Sequence, residues 1–117
     1  MFLTLNHQKM NIFTEAKKFA AECYKFTRQL PPEEKYAMAA QIRRATVSVY
    51  LNIAEGCSRK SEAERKRYFE IARGSLIEID AAFDIAQVLG YFDNYSTTSL
   101  NKTITDCFKM ITGLIKS

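Results

Sequence analysis

The chain has 117 residues, 47% of them hydrophobic and 26% charged, with only four glycines and two prolines. This length corresponds to one domain, and so few turn-forming residues exclude an all-β protein built on tight turns. The formal net charge is +4, with +4 in residues 43–73, +2 in 1–42 and −2 in 74–117, an excess that can attract phosphate groups or an acidic protein but excludes a histone-like polycation.

The three cysteines, Cys23, Cys57 and Cys107, are far apart and odd in number, so no disulfide framework is expected. Cys23 and Cys107 fall on apolar helical stripes and are predicted to be core residues. The N-terminal segment, residues 1–9, lacks the basic and apolar regions of a signal peptide. No run approaches the ~20 apolar residues of a membrane span. We therefore expect a protein of the reducing cytoplasm.

The spacing of apolar residues predicts two helices in the first half of the chain. The first covers about residues 10–29. It ends before Pro31, because the residue that precedes a proline avoids the helical conformation. The second covers about residues 32–55, with Pro32 in its first turn and Gly56 as the left-handed residue after its end.

Two further helices are predicted in the second half. The third, about 62–89, begins with a capping box, in which Ser61 and Glu64 bond to each other's backbone, and ends at Gly90. Its apolar seam has three-four spacing and consists of Phe69, Ala72, Leu76, Ile79, Phe83 and Ala86. The fourth helix covers about 98–115 after a polar loop.

Short connections between these helices predict an all-α fold, an antiparallel up-down-up-down four-helix bundle in one domain spanning residues 1–117. Gly74 lies in the middle of the third helix, where glycine costs about 1 kcal/mol relative to alanine. We expect this glycine to allow close approach of a neighbouring helix.

A polar stripe runs along the predicted second helix. Arg44, Ser48, Asn52 and Glu55 lie at i, i+4, i+8 and i+11, so they share one face. They either line a ligand groove or find partners across a helix or subunit interface. We favour the second interpretation because buried polar groups must be hydrogen-bonded. Glu55, near the negative end of its helix, is expected to have a cationic partner such as Arg73.

A cationic cluster surrounds the turn between the second and third helices. Its predicted members are Arg59, Lys60, Arg65, Lys66 and Arg67, extended along the helices by Arg43, Arg44 and Arg73. Tyr68 lies beside them and offers a ring on which a base can stack. The alternative is a solvated face laced with ion pairs, since Glu62, Glu64 and Glu70 are interleaved at helical spacing.

No catalytic constellation is predicted. Di-iron bundles need Glu-x-x-His pairs, but His7 is the only histidine, and its position in the N-terminal segment makes it a weak nucleophile partner. Clustered zinc ligands and a glycine-rich phosphate loop are also absent from the sequence. A carboxylate nuclease would need residues such as Asp80 and Asp84, which are predicted to lie on a solvated helix face. We therefore expect no metal and no cofactor.

The sequence resembles a known family of small bacterial four-helix-bundle proteins, also called 23S rRNA intervening-sequence proteins or S23-like ribosomal proteins. The blocks that carry the resemblance are LPPEEKY (30–36), QIRRA (41–45), NIAEG (52–56), IARGSLIE (71–78) and LGYF (89–92). The chain departs from the family pattern at Tyr50 and Leu51, where the family more often has a proline and a small residue. Bulkier groups at these positions can alter an interface.

The resemblance implies a left-handed bundle of antiparallel helices and a ring-shaped homopentamer. It also implies kinship with the accessory variability proteins of diversity-generating retroelements, which bind nucleic acid and a reverse transcriptase. It carries over no catalytic residue. Three functions are weighed: a non-enzymatic oligomer that binds nucleic acid, most of all RNA, through the cationic cluster; an adaptor for an acidic protein such as a reverse transcriptase; and, least favoured, an enzyme.

Overall fold

The computed structural model describes residues 2–117, except for the side chains of His7 and Lys9. His7, the histidine considered and disfavoured as a nucleophile partner, therefore lies outside the described side chains. Four α-helices account for most of this part of the chain: α1 (Asn11–Arg28), α2 (Met38–Ser58), α3 (Glu62–Val88) and α4 (Thr98–Lys116). Two short 3-10 helices, Asn6–Lys9 and Pro32–Glu34, precede α1 and α2. The described residues contain no strand, so the predicted all-α class is confirmed.

The helices pack around a shared core, with α1 against α2 and α4, and α3 against α2 and α4. Three hydrogen bonds between α2 and α3 show that these helices run antiparallel. They join Gln41 to Glu78, Ser48 to Ser75 and, near the opposite end, Arg65 to the Cys57 carbonyl. The complete up-down-up-down order, the left-handed sense and the single domain stay predictions.

The predicted seam of α3 is confirmed by burial. Its buried members are Phe69, Ala72, Leu76, Ile79 and Ala86, and Phe83 is half-buried. Full burial of a side chain such as Leu or Phe is worth about 1.5–3 kcal/mol. Cys23 and Cys107 are completely buried, as expected of core residues, and none of the cysteines is in a disulfide. At one end of the core, the rings of Phe26 and Phe92 stack at 4.4 Å between centroids.

The start of the second helix was predicted too early. Pro32–Glu34 forms a 3-10 turn, and α2 begins only at Met38, after Ala37 leaves the helical conformation with φ −116° and ψ −99°. The break lets the Glu34 carboxylate accept two bonds, from the Met38 backbone N–H at 3.3 Å and from the Tyr91 hydroxyl at 2.8 Å. The carboxylate thus satisfies a free N–H at the positive end of α2.

The end of the second helix also differs from the prediction. Gly56 was expected as a left-handed terminal residue, but α2 continues to Ser58, and Gly56 is buried inside the helix. The glycine is needed for packing, because a Cβ built on it would lie 2.5 Å from Cε1 of Phe69. Among the described residues only Gly90 has positive φ, at 80°, and it follows α3 as predicted.

Two predictions for α3 have opposite outcomes. The Ser61 hydroxyl accepts the Glu64 backbone N–H at 3.3 Å, which confirms the Ser61 half of the predicted capping box. The reciprocal bond is not found among the described residues, and Glu64 Oε2 lies 3.9 Å from Arg59 Nη1. The expected close approach at Gly74 is wrong, because a Cβ placed there would meet no heavy atom within 4 Å. Gly74 lies on the exposed side of α3, away from the other helices of the same chain.

Candidate nucleic-acid interface

Arg59 lies at the centre of the turn between α2 and α3. Its Nη2 donates to Glu55 Oε2 at 2.9 Å and to the Tyr68 hydroxyl at 3.2 Å, and its guanidinium lies 5.1 Å from the Tyr68 ring centroid. The hydrogen bond to Glu55 raises the pKa of Arg59 above its ordinary value. Glu55 therefore has its cationic partner in Arg59 rather than in the expected Arg73. A guanidinium held at three points is oriented before any ligand arrives.

Arg65 holds the backbone of the turn together. Its Nη1 donates to the carbonyl oxygens of Cys57 at 3.1 Å and Arg59 at 3.2 Å. The guanidinium also lies 5.8 Å from the Phe69 ring centroid. The last carbonyls of a helix have no partner within the helix, and a cation satisfies them well. Arg65 is thus committed to the structure of the turn, a role that the sequence pattern did not reveal.

The remaining cations of the turn differ in how much of their charge is engaged. Lys66 forms an exposed ion pair with Glu62 at 3.1 Å. Arg67 is exposed, and its guanidinium lies 5.9 Å from the Tyr68 ring centroid. It is not a member of any ion pair among the described residues. Lys60 is exposed in the turn itself. We call Arg59, Lys60, Arg67 and Tyr68 the cationic turn.

Arg43 and Arg44 lie away from the cationic turn. Arg43 faces α1, where its Nε donates to Thr27 Oγ1 at 2.8 Å. Arg44 lines a cavity near the start of α2. It precedes Arg59 by 15 residues, which corresponds to about 22 Å along a helix. Arg73 is half-buried on α3. The structure therefore separates Arg43 and Arg44 from the members of the predicted cluster near the turn, and the membership of Arg73 stays a prediction.

Ser48 and Asn52 link α2 to α3. The hydroxyl oxygens of Ser48 and Ser75 are 2.9 Å apart, and Asn52 Nδ2 donates to the Ser48 carbonyl at 2.8 Å and to the Ser48 hydroxyl oxygen at 3.1 Å. These bonds give the middle of the polar stripe partners within the chain. A ligand is therefore not required to explain its polar residues.

The outward surfaces of α2 and α3 carry large apolar side chains. The exposed ones are Val47 and Leu51 on α2, Ile71, Ile77, Ile85 and Val88 on α3, and Leu89 just after it. A cavity of about 560 Å³ lies between the two helices near the start of α2, with Tyr36, Ile85 and Leu89 among its lining residues. Exposed apolar side chains that cluster on a surface are typical of a protein interface, and Tyr36, Ile85 and Leu89 lie together at this cavity.

The described residues show neither a metal centre nor a membrane span. No group of three or more His, Cys, Asp or Glu side chains there is arranged to hold a metal ion. None of the helices in that part of the chain combines the length and apolar character needed to cross a bilayer. The carboxylates Asp80 and Asp84 are exposed on α3, on the solvated face where they were expected.

Fold and surface together define a small, all-α, four-helix protein with a cationic turn between two of its helices. The family model for the 23S rRNA-intervening sequence protein matches residues 8–113. The chain therefore belongs to this family, and the resemblance seen in the sequence is confirmed. No curated protein matches the chain. Kinship with retroelement accessory proteins stays a prediction.

Proposed function

We propose that the protein binds structured RNA without catalysis, through the cationic turn. The observation that carries this proposal is the position of the Tyr68 ring, 5.1 Å from the Arg59 guanidinium and 5.9 Å from that of Arg67. Lys60 is exposed beside them. Cations supply contacts to phosphate, and an aromatic ring supplies a stacking surface for an unpaired base. The family's name relates its members to 23S rRNA.

The cations of the turn have different roles in this proposal, according to their contacts. Arg59 is fixed by Glu55 and positions the Tyr68 ring. Lys60 and Arg67 are the groups that neutralise phosphate, because neither shares a carboxylate in the ion pairs of the described residues. Binding of this kind needs no metal or cofactor, and a role with RNA fits a cytoplasmic protein.

Carboxylates near the turn reduce the net positive charge that one copy presents to RNA. Glu55 and Glu64 lie 2.9 Å and 3.9 Å from the Arg59 guanidinium and offset much of its charge. We therefore propose that several copies act together, as in the homopentamer that the family resemblance implies. Phosphate contacts of the copies then add, and the release of counterions adds with them. The exposed apolar surfaces of α2 and α3 support self-association.

Binding of a structured RNA across a salt series tests the proposal. We expect affinity to fall steeply between 50 and 200 mM salt, as it does when about six or more phosphates are contacted. The double variant Lys60→Ala/Arg67→Ala should flatten this dependence. The matched control Lys17→Ala/Lys109→Ala removes the same charge from exposed positions on α1 and α4 and should leave it unchanged. Equal effects of the two variants would contradict a localised site.

A second pair of variants isolates the ring. Tyr68→Phe keeps the stacking surface and loses only the hydroxyl contact with Arg59, whereas Tyr68→Leu loses the ring. Stacking of a base on an aromatic side chain is worth about 1–3 kcal/mol. We expect Tyr68→Leu to weaken RNA binding by that amount and Tyr68→Phe to retain most of the affinity.

Light scattering of the purified protein measures the number of subunits, and a mass near the 13.4 kDa of one chain would contradict the oligomer.

The alternative function is an adaptor for an acidic protein, such as a reverse transcriptase. It is favoured by the apolar residues near the cations, of which Leu51 on α2 is 57% exposed and Ile71 on α3 is 41% exposed. Interfaces between proteins combine an apolar centre with a charged rim. A pull-down after nuclease treatment distinguishes the two functions. A partner that is retained after RNA has been destroyed supports the adaptor, whereas loss of the partner supports RNA binding.

A further inference from the structure

A second group of cations lines a cavity at the elbow between α1 and α2. Arg28 ends α1, Lys35 follows the Pro32–Glu34 turn, and Arg43 lies on α2. All three line one cavity of about 360 Å³, and no carboxylate is among its lining residues. This cavity lies on the α1 side of α2, whereas the cationic turn lies between α2 and α3. It is therefore a separate site from the one proposed for RNA.

Arg43 is held in place by α1. Its Nε donates to Thr27 Oγ1 at 2.8 Å, and its guanidinium lies 5.1 Å from the Tyr24 ring centroid. Thr27 is buried, and its hydroxyl donates to the Tyr24 carbonyl at 3.0 Å. With Nε engaged, the edge formed by the two Nη groups has the fork geometry that binds two oxygens of a phosphate.

Among the described residues, no ion pair neutralises Arg28, Lys35 or Arg43. The last carbonyls of α1, on Phe26 and Thr27, accept the backbone N–H groups of Gln29 and Leu30. They do not need Arg28 as a cap. Glu34, on the neighbouring turn, is bonded to Tyr91 and to the Met38 N–H and does not line the cavity. Lys35 Nζ lies 5.3 Å from the Tyr36 ring centroid, a contact that leaves its charge without a carboxylate. The positive charge at the elbow is therefore available to an anionic ligand.

The floor of the cavity is apolar and rigid. It is formed by Leu30, Pro31, Pro32 and Ala39, of which the prolines have fixed φ and no N–H. Small-molecule pockets combine such apolar walls with a few polar groups, in volumes from about 300 Å³ upwards. The floor suits the flat base of a nucleoside, and the three cations suit a doubly charged phosphate. We propose that the elbow cavity binds a phosphomonoester, as a mononucleotide or as the terminal phosphate of a nucleic-acid strand.

Calorimetric titration of the full chain with uridine monophosphate, uridine and inorganic phosphate tests this proposal at low ionic strength. We expect saturable binding of the monophosphate and none of uridine. Arg28→Gln/Lys35→Gln should weaken that binding about tenfold or more, because both side chains are exposed cations whose loss leaves the core intact. The matched control Lys17→Gln/Lys109→Gln and the turn variant Lys60→Ala/Arg67→Ala should bind as the wild type does.

Two further comparisons complete the test. Arg43→Lys keeps the charge but loses the fork, and it should weaken binding while circular dichroism shows an unchanged fold. A 5′-phosphorylated oligonucleotide that binds more tightly than its 5′-hydroxyl form identifies a strand end as the ligand, and equal binding of both, beside saturable monophosphate binding, identifies a free mononucleotide. The proposal is overturned if the wild type does not bind the monophosphate, if uridine binds equally well, or if the control variant loses as much affinity as Arg28→Gln/Lys35→Gln.

Discussion

Gly56 of α2 lies directly beneath the ring of Phe69 on α3. A Cβ on Gly56 would be 2.5 Å from Cε1 and 2.8 Å from Cδ1 of that ring. Phe69 is 2% exposed and cannot move away into solvent. The contact joins the last turn of α2 to the second turn of α3 and thereby fixes the angle at which the chain leaves the cationic turn. A glycine near a helix end here serves packing between helices rather than helix termination.

Gly56→Ala is expected to destabilise the protein. Overpacking of a tight core typically costs about 1–3 kcal/mol, whereas alanine in a helix returns about 1 kcal/mol relative to glycine. Urea denaturation should therefore show a net loss of up to about 2 kcal/mol in the free energy of unfolding. The double variant Gly56→Ala/Phe69→Leu should be more stable than the sum of the two single changes predicts. Simple additivity would contradict a steric origin.

Gly74→Ala is expected to have the opposite effect in a single chain. No heavy atom lies within 4 Å of a Cβ built at this position, so the new methyl group meets no obstacle. The free energy of unfolding should rise by about 1 kcal/mol, the difference in helix propensity. Urea denaturation combined with light scattering checks both stability and mass. A stabilised chain with reduced mass would show that α3 approaches another copy closely at Gly74.

The helices could be predicted because their apolar spacing is strong and local. The seam of α3, from Phe69 to Ala86, follows from one period, and the Ser61 cap follows from a motif of four residues. The errors fall where the outcome depends on distant partners. At the late start of α2, Glu34 bonds to Tyr91, 57 residues away. Near the other end of the same helix, which continues to Ser58, Gly56 packs against Phe69.

The candidate site was harder to predict for the same reason. Net charge located the cationic segment, but it could not distinguish an arginine that caps carbonyls from one that faces solvent. Arg65 and Arg67 are two positions apart and therefore project from different sides of α3. Arg65 bonds to the Cys57 carbonyl, whereas Arg67 is exposed and lies 5.9 Å from the Tyr68 ring centroid. The elbow cavity unites Arg28, Lys35 and Arg43, which no sequence motif connects.

Arg65→Gln is expected to weaken the turn. The change removes the charged donor that bonds to the Cys57 and Arg59 carbonyls. Hydrogen bonds from a charged group contribute about 1.5–3 kcal/mol when buried, and Arg65 is only half-buried. We expect urea denaturation to show a loss of about 1–2 kcal/mol. Lys66→Gln removes the same charge from an exposed ion pair and should cost less than about 0.5 kcal/mol. Similar losses for both would contradict the capping role.

Alkaline pH is expected to destabilise the protein through its buried thiols. Burial raises the pKa of both Cys23 and Cys107 from 9.0 to about 12. Between these values the unfolded chain releases protons that the folded chain keeps, so stability falls as pH rises. Each thiol contributes a slope of about 1.4 kcal/mol per pH unit above pH 9. Below pH 9 this contribution is fully present and constant.

Urea denaturation between pH 8 and about pH 10.5 measures this slope. Because other groups also contribute to the pH dependence of stability, the test is the difference in slope between variants. Cys107→Ala should lower stability at every pH because it leaves a cavity, yet its stability should fall less steeply with pH than that of the wild type. Ile111→Val, one turn further along α4, also truncates a buried side chain but removes no titrating group. It should keep the wild-type slope. Parallel curves for Cys107→Ala and the wild type would contradict the raised pKa of Cys107.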